Sequence, residues 1–119
     1  MTISSIQPRK TYSAPSLPKK RGARTSIFYI NDFHGCESKM ANLKTAADSF
    51  TKKYNQPGID TFKLAGGDIL KGKNSKTNLM WTAFLNKIGL NYAALGNHEY
   101  DAGSKALNQA AKKANFRYV

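Results

Sequence analysis

Seven residues of the types used in catalysis and metal binding follow three short apolar segments of the chain. They are Asp32, His34, Asp68, Asn97, His98, Glu99 and Asp101. Both histidines and four of the seven acidic residues of the 119-residue sequence belong to this set. Because the formal net charge is +12, the grouping of so many of the scarce acids calls for a counter-charge, which a metal cation supplies. The set therefore predicts a metal site.

The apolar segments themselves predict strands, and the stretches between them predict helices. Residues 27–30, 62–65 and 92–95 are short, apolar and followed by polar or glycine-rich turns, as buried strands are. Apolar side chains recur at steps of three and four within residues 40–54, a second stripe occupies residues 81–88, and a third, weaker stripe occupies residues 106–114. Strands that alternate with helices predict an α/β fold, with a βαβαβ arrangement and a parallel sheet. Residues 116–119 begin a predicted fourth strand.

The predicted fold would bring the three polar turns together. The carboxyl ends of parallel strands share one edge of the sheet, where open α/β folds bind their ligands. Asp32 and His34 are two residues apart, so they would leave the strand end on the same side and could chelate one ion. The two glycines before Asp68 allow a close backbone approach, and Asn97 offers an amide oxygen. Oxygen and nitrogen ligands without thiolate suit Zn, Mn, Fe or Co, and the sequence does not choose among these metals.

Each of these residues also has an ordinary structural interpretation. Asp32 is of a type that forms turns at strand ends, and His34 of a type often hydrogen-bonded at the surface. Asp101 would suit the N-cap of the third helix, and Glu99 would suit its first turn. The functional interpretation is favoured because three such motifs occur in order, each at the same end of a predicted strand.

The motifs together resemble those of a known family. Asp32-x-His34-Gly35, Gly67-Asp68 and the segment Gly-Asn-His-Glu at residues 96–99 are similar to the motifs of the calcineurin-like metallophosphoesterases. The complete sequences of these motifs resemble those of the 5′-nucleotidase / 2′,3′-cyclic phosphodiesterase branch, except that Tyr100 stands where that branch commonly has phenylalanine. The resemblance covers residues 26–119 and implies the N-terminal βαβαβ part of a four-layer αββα sandwich.

The resemblance also implies two divalent metal ions and assigns their ligands. Asp32 and His34 would bind the first ion, and Asp68 would bridge both. Asn97 would bind the second ion and contact the substrate phosphate. Two ions about 3.5–4 Å apart are the usual arrangement for hydrolysis of phosphate esters.

The catalytic roles implied by the resemblance fall on two further residues. His98 would bind substrate and face the leaving-group oxygen, as phosphate-stabilising residue or general acid, and Asp101 would orient its ring. The implied reaction is metal-dependent hydrolysis of a phosphomonoester or phosphodiester, with a nucleotide-like compound as the expected substrate.

The sequence departs from the family in its histidine count. The family completes its site with three further histidines, in a Gly-His and a Gly-His-x-His motif, whereas this chain has His34 and His98 alone. We therefore expect the 119 residues to supply about half of the site and to show weak metal binding and little turnover. A missing C-terminal half or a partner chain would complete the domain.

The composition of residues 1–25 predicts a flexible basic leader. It precedes residues 26–119, which the resemblance identifies as the N-terminal half of a catalytic domain. Residues 1–25 contain six basic residues, no acid, three prolines and several serines, a composition that buries little apolar surface. Contact with nucleic acid is a secondary expectation for this segment. The sequence shows neither the apolar core of a signal peptide nor a membrane span, which predicts a cytoplasmic location, although the resembling branch is often exported.

One alternative from a different functional class stays open. The chain could be a non-catalytic basic module that binds nucleic acid or acts as a scaffold for a partner, using its charge of +12. Such a module would lose affinity steeply with salt and would not depend on Asp32 or Asp68. Cys36, the single cysteine, excludes an internal disulfide and a cysteine-based zinc site.

Overall fold

The computed structural model describes residues 24–119. Most of the predicted leader, with its expected contact to nucleic acid, lies outside these residues. Its last two residues, Arg24 and Thr25, belong to the first strand and pair with Ile59 and Asp60. The first strand therefore begins two residues before the predicted boundary at Ser26, because its pairing extends to Ile59, the first residue of the neighbouring strand.

Four strands form one parallel sheet in the order in which they occur in the chain. Strand β1 comprises Arg24–Ile30, β2 Ile59–Ala65, β3 Tyr92–Ala93 and β4 Arg117–Tyr118. All three neighbouring pairs are parallel. The predicted α/β class and the fourth strand are confirmed, and the third strand is shorter than the four apolar residues that predicted it.

Three α-helices connect the strands where the periodicity predicts them. Helix α1 comprises Met40–Tyr54, α2 Ser75–Lys87 and α3 Ser104–Lys113. Helix α2 begins six residues before its apolar stripe because the side chain of Asn74 caps it, accepting a hydrogen bond from the backbone N–H of Lys76. None of the helices within residues 24–119 is long and apolar enough to cross a membrane.

The two faces of the sheet differ in burial. The register aligns Ile30, Ala65, Ala93 and Tyr118 in one row across the four strands, and all four are at most 5% exposed. The residue before Ile30 is Tyr29, which points to the opposite face and is 60% exposed. Connections that always advance in the same direction and with the same hand place their helices on one face of a sheet. All three helices therefore cover the first face, whereas the second face is exposed at Ile27 and Tyr29 of β1.

The covered face holds one hydrophobic core. Leu43 of α1, Trp81 of α2 and Leu107 of α3 belong to the same buried cluster as the inward-facing row of the sheet. Trp81 is fully buried, and its indole lies edge-on to the ring of Phe33, with 6.1 Å between the ring centroids. Because Phe33 separates Asp32 from His34, the core directly supports the first of the polar turns.

Candidate metal centre

Three loops meet at the carboxyl edge of the sheet. We name residues 31–36, after β1, the first loop; residues 66–74, after β2, the second loop; and residues 94–103, after β3, the third loop. The first two are joined by backbone hydrogen bonds, in which the N–H groups of Asp32, His34 and Gly35 donate to the carbonyl oxygens of residues 67–69 at 3.3, 2.9 and 2.8 Å. The parallel register thus brings the predicted motifs together.

Three of the predicted metal ligands have an unusual backbone conformation. Asp32, His34 and Asp68 have φ angles of 53°, 52° and 51°, and they are the three non-glycine residues with positive φ among residues 24–119. Such left-handed residues are uncommon outside glycine and are typical of functional sites, where the surrounding structure holds about 1–3 kcal/mol of strain per residue. Consequently the backbone at Asp32 and His34 does not continue the direction of the strand, although the prediction from their two-residue spacing assumes that it does.

The side chains of the three loops converge on one small region. The Nε2 atom of His34 lies 3.6 Å from Oδ1 of Asp32 and 3.9 Å from Oδ2 of Asp68. One ligand atom each from His34, Asp68 and His98 can be chosen so that all lie within 4.8 Å of one another. Carboxylate and imidazole groups at this separation form a donor set that suits a divalent transition metal.

The close approach of the second and third loops depends on glycine at position 96. A Cβ atom added to Gly96 would lie 2.1 Å from Oδ1 of Asp68, which is closer than any side chain allows. The same oxygen accepts a hydrogen bond of 3.0 Å from the backbone N–H of His98. Gly96 therefore lets the Asp68 carboxylate reach the start of the short 3-10 helix Asn97–Tyr100.

Glu99 has a role that the sequence reasoning missed. Instead of favouring the first turn of the third helix, its side chain is 1% exposed and accepts four backbone hydrogen bonds. Its donors are the N–H groups of Asp68, Ile69, Leu70 and Gly96. The sequence signal that could have found it is the spacing of a capping box, in which a glutamate at the third helical position bonds back to the backbone of the N-cap.

His98 and Asp101 form a pair, as the resemblance implies. Nδ1 of His98 and Oδ2 of Asp101 are 2.9 Å apart, and the same oxygen accepts a hydrogen bond of 2.8 Å from the backbone N–H of Gly72. The N–H of Gly72 and then the hydrogen bond with His98 lower the pKa of Asp101 below its usual value. The alternative role of Asp101 as cap of the third helix is wrong, because Gly103 occupies that position.

Two predicted ligands are held less firmly by the protein. The Asp32 side chain is 58% exposed, and its Oδ2 atom accepts a hydrogen bond of 2.7 Å from the amide of Asn31. Asn97 is exposed at the start of the 3-10 helix, on the same loop as His98. The structure thus brings Asp32, His34, Asp68 and His98 together, while Asn97 is exposed on the turn that carries His98.

Comparison with known proteins adds an independent observation to this geometry. The chain is 33% identical to the silent protein UshA(0) of Salmonella typhimurium over an alignment of 119 positions. This alignment covers 92% of this chain and 22% of that protein. It is 31% identical to a 5′-nucleotidase of Vibrio cholerae over 124 residues, or 96% of this chain and 22% of that protein. The UshA protein of Escherichia coli is 31% identical over 103 residues, or 78% and 19%. No protein-family profile matches the chain.

The chain is similar to 5′-nucleotidases and UshA proteins. It spans about a fifth of the length of these relatives. Their names support the 5′-nucleotidase part of the resemblance that the motifs indicate. Membership of the wider calcineurin-like family stays a prediction.

Proposed function

We propose that this protein contributes to the hydrolysis of nucleotide-like phosphate esters at a site with two divalent metal ions. The observation that carries the proposal is the convergence of Asp32, His34, Asp68 and His98 at one edge of the sheet, with three of the four in the strained left-handed conformation. The similarity to 5′-nucleotidases supports the class of substrate.

The donor chemistry of the cluster fits the proposed ions. Asp32 and His34 would hold one ion, Asp68 would bridge both, and Asn97 would add an amide oxygen to the second. Bound divalent ions would supply Lewis-acid stabilisation of the charge on the phosphoryl oxygens. Zn, Mn, Fe and Co all suit such oxygen and nitrogen donors.

The pair of His98 and Asp101 would serve the leaving group. The lowered pKa keeps the Asp101 carboxylate ionised, so that it accepts a hydrogen bond from Nδ1–H of His98. This contact fixes the ring and leaves Nε2 as the atom that faces the substrate. A proton on Nε2 would stabilise the negative charge that develops on the leaving oxygen and could then be donated to it.

Groups outside the described residues would complete the site. His34 and His98 are the two histidines of the sequence, so any additional imidazole ligand must come from another polypeptide segment. The open face of the sheet, with Ile27 and Tyr29 at 57% and 60% exposure, is where the second sheet of the proposed αββα sandwich would pack.

Ion binding to the chain provides the first test. Titration calorimetry with Mn²⁺ should show binding to the 119-residue chain, loss of binding in Asp68→Asn, and unchanged binding in Asp48→Asn. Asp48 is a matched control because it is an exposed acid of α1 whose partner is Lys44. Equal Mn²⁺ affinity in both variants would contradict the proposed site.

Hydrolysis provides the second test, with a 5′-nucleotide and a bis-aryl phosphodiester as substrates in the presence of Mn²⁺. We expect the 119-residue chain alone to be weakly active or inactive. Normal turnover that disappears in Asp68→Asn would confirm the reaction and contradict the half-site proposal. Salt-sensitive binding of nucleic acid that is unchanged in Asp32→Asn and Asp68→Asn would favour the non-catalytic basic module instead.

A further inference from the structure

We propose that Glu99 is the positioning residue of this site, which sets the place of the Asp68 carboxylate and the His98 backbone by joining the second and third loops. The part of this inference that Mn²⁺ binding tests rests on the proposed function. Its structural part rests on the hydrogen bonds of a single buried carboxylate.

The carboxylate of Glu99 is shared equally between its donors. Its Oε1 atom accepts the N–H groups of Ile69 and Leu70 at 2.8 and 3.1 Å. Its Oε2 atom accepts those of Asp68 and Gly96 at 2.9 and 2.7 Å. Each oxygen therefore has two donors, so the buried charge is well compensated and Glu99 is not free to act as a metal ligand.

These bonds explain how Asp68 keeps its left-handed backbone. The turn at Asp68, with φ of 51°, lets three consecutive N–H groups, from Asp68 to Leu70, converge on one anion. The anion therefore stabilises a left-handed conformation that is uncommon for residues other than glycine. Without it, the second loop would relax toward ordinary backbone angles and the Asp68 side chain would move.

The influence of Glu99 extends to His98 through Asp68. Oδ1 of Asp68 accepts the backbone N–H of His98 at 3.0 Å, a bond in which Glu99 takes no part. Glu99 itself holds Gly96, at the start of the same turn, through Oε2. The second and third loops are therefore joined at two points, one made by Glu99 and the other made by the residue that Glu99 positions.

Glutamine is the most informative replacement for Glu99. It has nearly the same shape, but one of its two terminal atoms is an NH₂ group that cannot accept a hydrogen bond. Whichever way the amide turns, two N–H donors of the loops face another donor. A positioning role that depends on four acceptor contacts therefore predicts a large effect from a small change in volume.

The experiment is amide hydrogen exchange by NMR on the 119-residue chain, comparing Glu99→Gln with Leu43→Ala. Leu43 is a buried residue of α1, and its truncation lowers global stability without removing any of the four hydrogen bonds that Glu99 accepts. We expect Glu99→Gln to accelerate exchange at His98 by about tenfold or more relative to the amide of Ala65. In Leu43→Ala the two amides should keep their wild-type ratio.

A second variant and a second readout complete the test. Glu99→Asp keeps the charge but is one methylene shorter, so it cannot reach all four donors and should accelerate His98 exchange by a smaller factor. In Mn²⁺ titrations we expect Glu99→Gln to weaken binding at least about tenfold, and Asp68→Asn to abolish it.

Specific results would overturn the inference. A ratio of His98 to Ala65 exchange that stays at the wild-type value in Glu99→Gln, or in Glu99→Asp if the glutamine variant does not fold, contradicts it. If the wild-type chain binds no Mn²⁺, the proposed function fails for this chain, and the exchange ratio alone still decides the role of Glu99. If Mn²⁺ binds equally to wild type and a folded Glu99→Gln, Glu99 does not position the ligands.

Discussion

The two halves of the candidate site differ in what holds them. In the anchored half, formed by Asp68, His98 and Asp101, each side chain makes a hydrogen bond to the backbone or to another member, and each is between 21% and 28% exposed. In the open half, formed by Asp32, His34 and Asn97, the side chains of Asp32 and His34 are 58% and 38% exposed. The difference indicates that hydrogen bonds within the protein fix the side chains of the anchored half. In the open half, bound ions would complete the arrangement of the ligands.

The cause of the difference is the position of Glu99. Its buried carboxylate binds the backbone on both sides of the anchored half and makes no bond to the first loop. The first loop is joined to the second by backbone hydrogen bonds and is supported by Phe33 on Trp81. Its backbone is therefore placed, while its ligating side chains stay in contact with solvent.

The largest effect should come from a methyl group inserted between the loops of the anchored half. Gly96 has an ordinary φ of −91°, so Gly96→Ala introduces no backbone strain, and its only consequence is the clash with Asp68. We expect a loss of about 3 kcal/mol in the free energy of unfolding, measured by urea denaturation.

The control for this prediction is Gly58→Ala. Gly58 has a φ of 79° and no atom within 4 Å of an added Cβ, so the substitution tests backbone strain alone, worth about 1 kcal/mol. Equal losses in the two variants would mean that the contact between Gly96 and Asp68 does not hold the loops together.

The next effect concerns Tyr118, a buried residue of β4 whose titration is influenced by the carboxylate of Glu99. Burial and then the negative charge of Glu99 raise the pKa of Tyr118 above its usual value of about 10. Because the folded-state pKa is the higher one, the contribution of Tyr118 to stability is complete below pH 10 and decreases as the pH rises further. We expect wild type to lose up to about 1.4 kcal/mol more than Tyr118→Phe between pH 10 and 11, by urea denaturation. Parallel losses in the two proteins would contradict this assignment.

A pair of isosteric substitutions compares the two halves directly. Asp68→Asn weakens a charge-assisted bond to the N–H of His98 and should lower the free energy of unfolding by about 1 kcal/mol. Asp32→Asn alters an exposed side chain and should change it by less than about 0.5 kcal/mol. Both should abolish Mn²⁺ binding in calorimetry. A larger loss of stability in Asp32→Asn would reverse the proposed difference between the halves.

The smallest effect is a shift in the titration of Asp101, followed by its side-chain carboxyl ¹³C signal. The midpoint should lie below the usual value of about 3.9, so the stability that depends on the ionised group is complete above that usual value and is lost as the pH falls through the lowered one. His98→Gln should raise the midpoint only in part, because the N–H of Gly72 remains, and Lys71→Gln should raise it less. A complete return to the usual value in His98→Gln would show that the Gly72 contact is unimportant.

The α/β class and the positions of its helices were predictable for local reasons. The stripe in residues 40–54 predicted helix α1, because helical periodicity depends on neighbours three and four positions apart. The parallel direction of the strands followed from the alternation of elements, and that direction placed three polar turns at one edge. The early start of α2 was less visible, because residues 75–80 are held by the cap at Asn74 rather than by an apolar stripe.

The sequence alone determined which chemical groups this protein brings to the carboxyl edge of its sheet, because residue types and strand ends are local properties. Only the tertiary structure decided which of them are held and which stay open. Asp68 and His98 are 30 residues apart, and their contact depends on the register of the parallel strands and on the space left by Gly96. The role of Glu99 was decided in the same way, because no local pattern shows that four backbone donors from two distant loops will share one buried carboxylate.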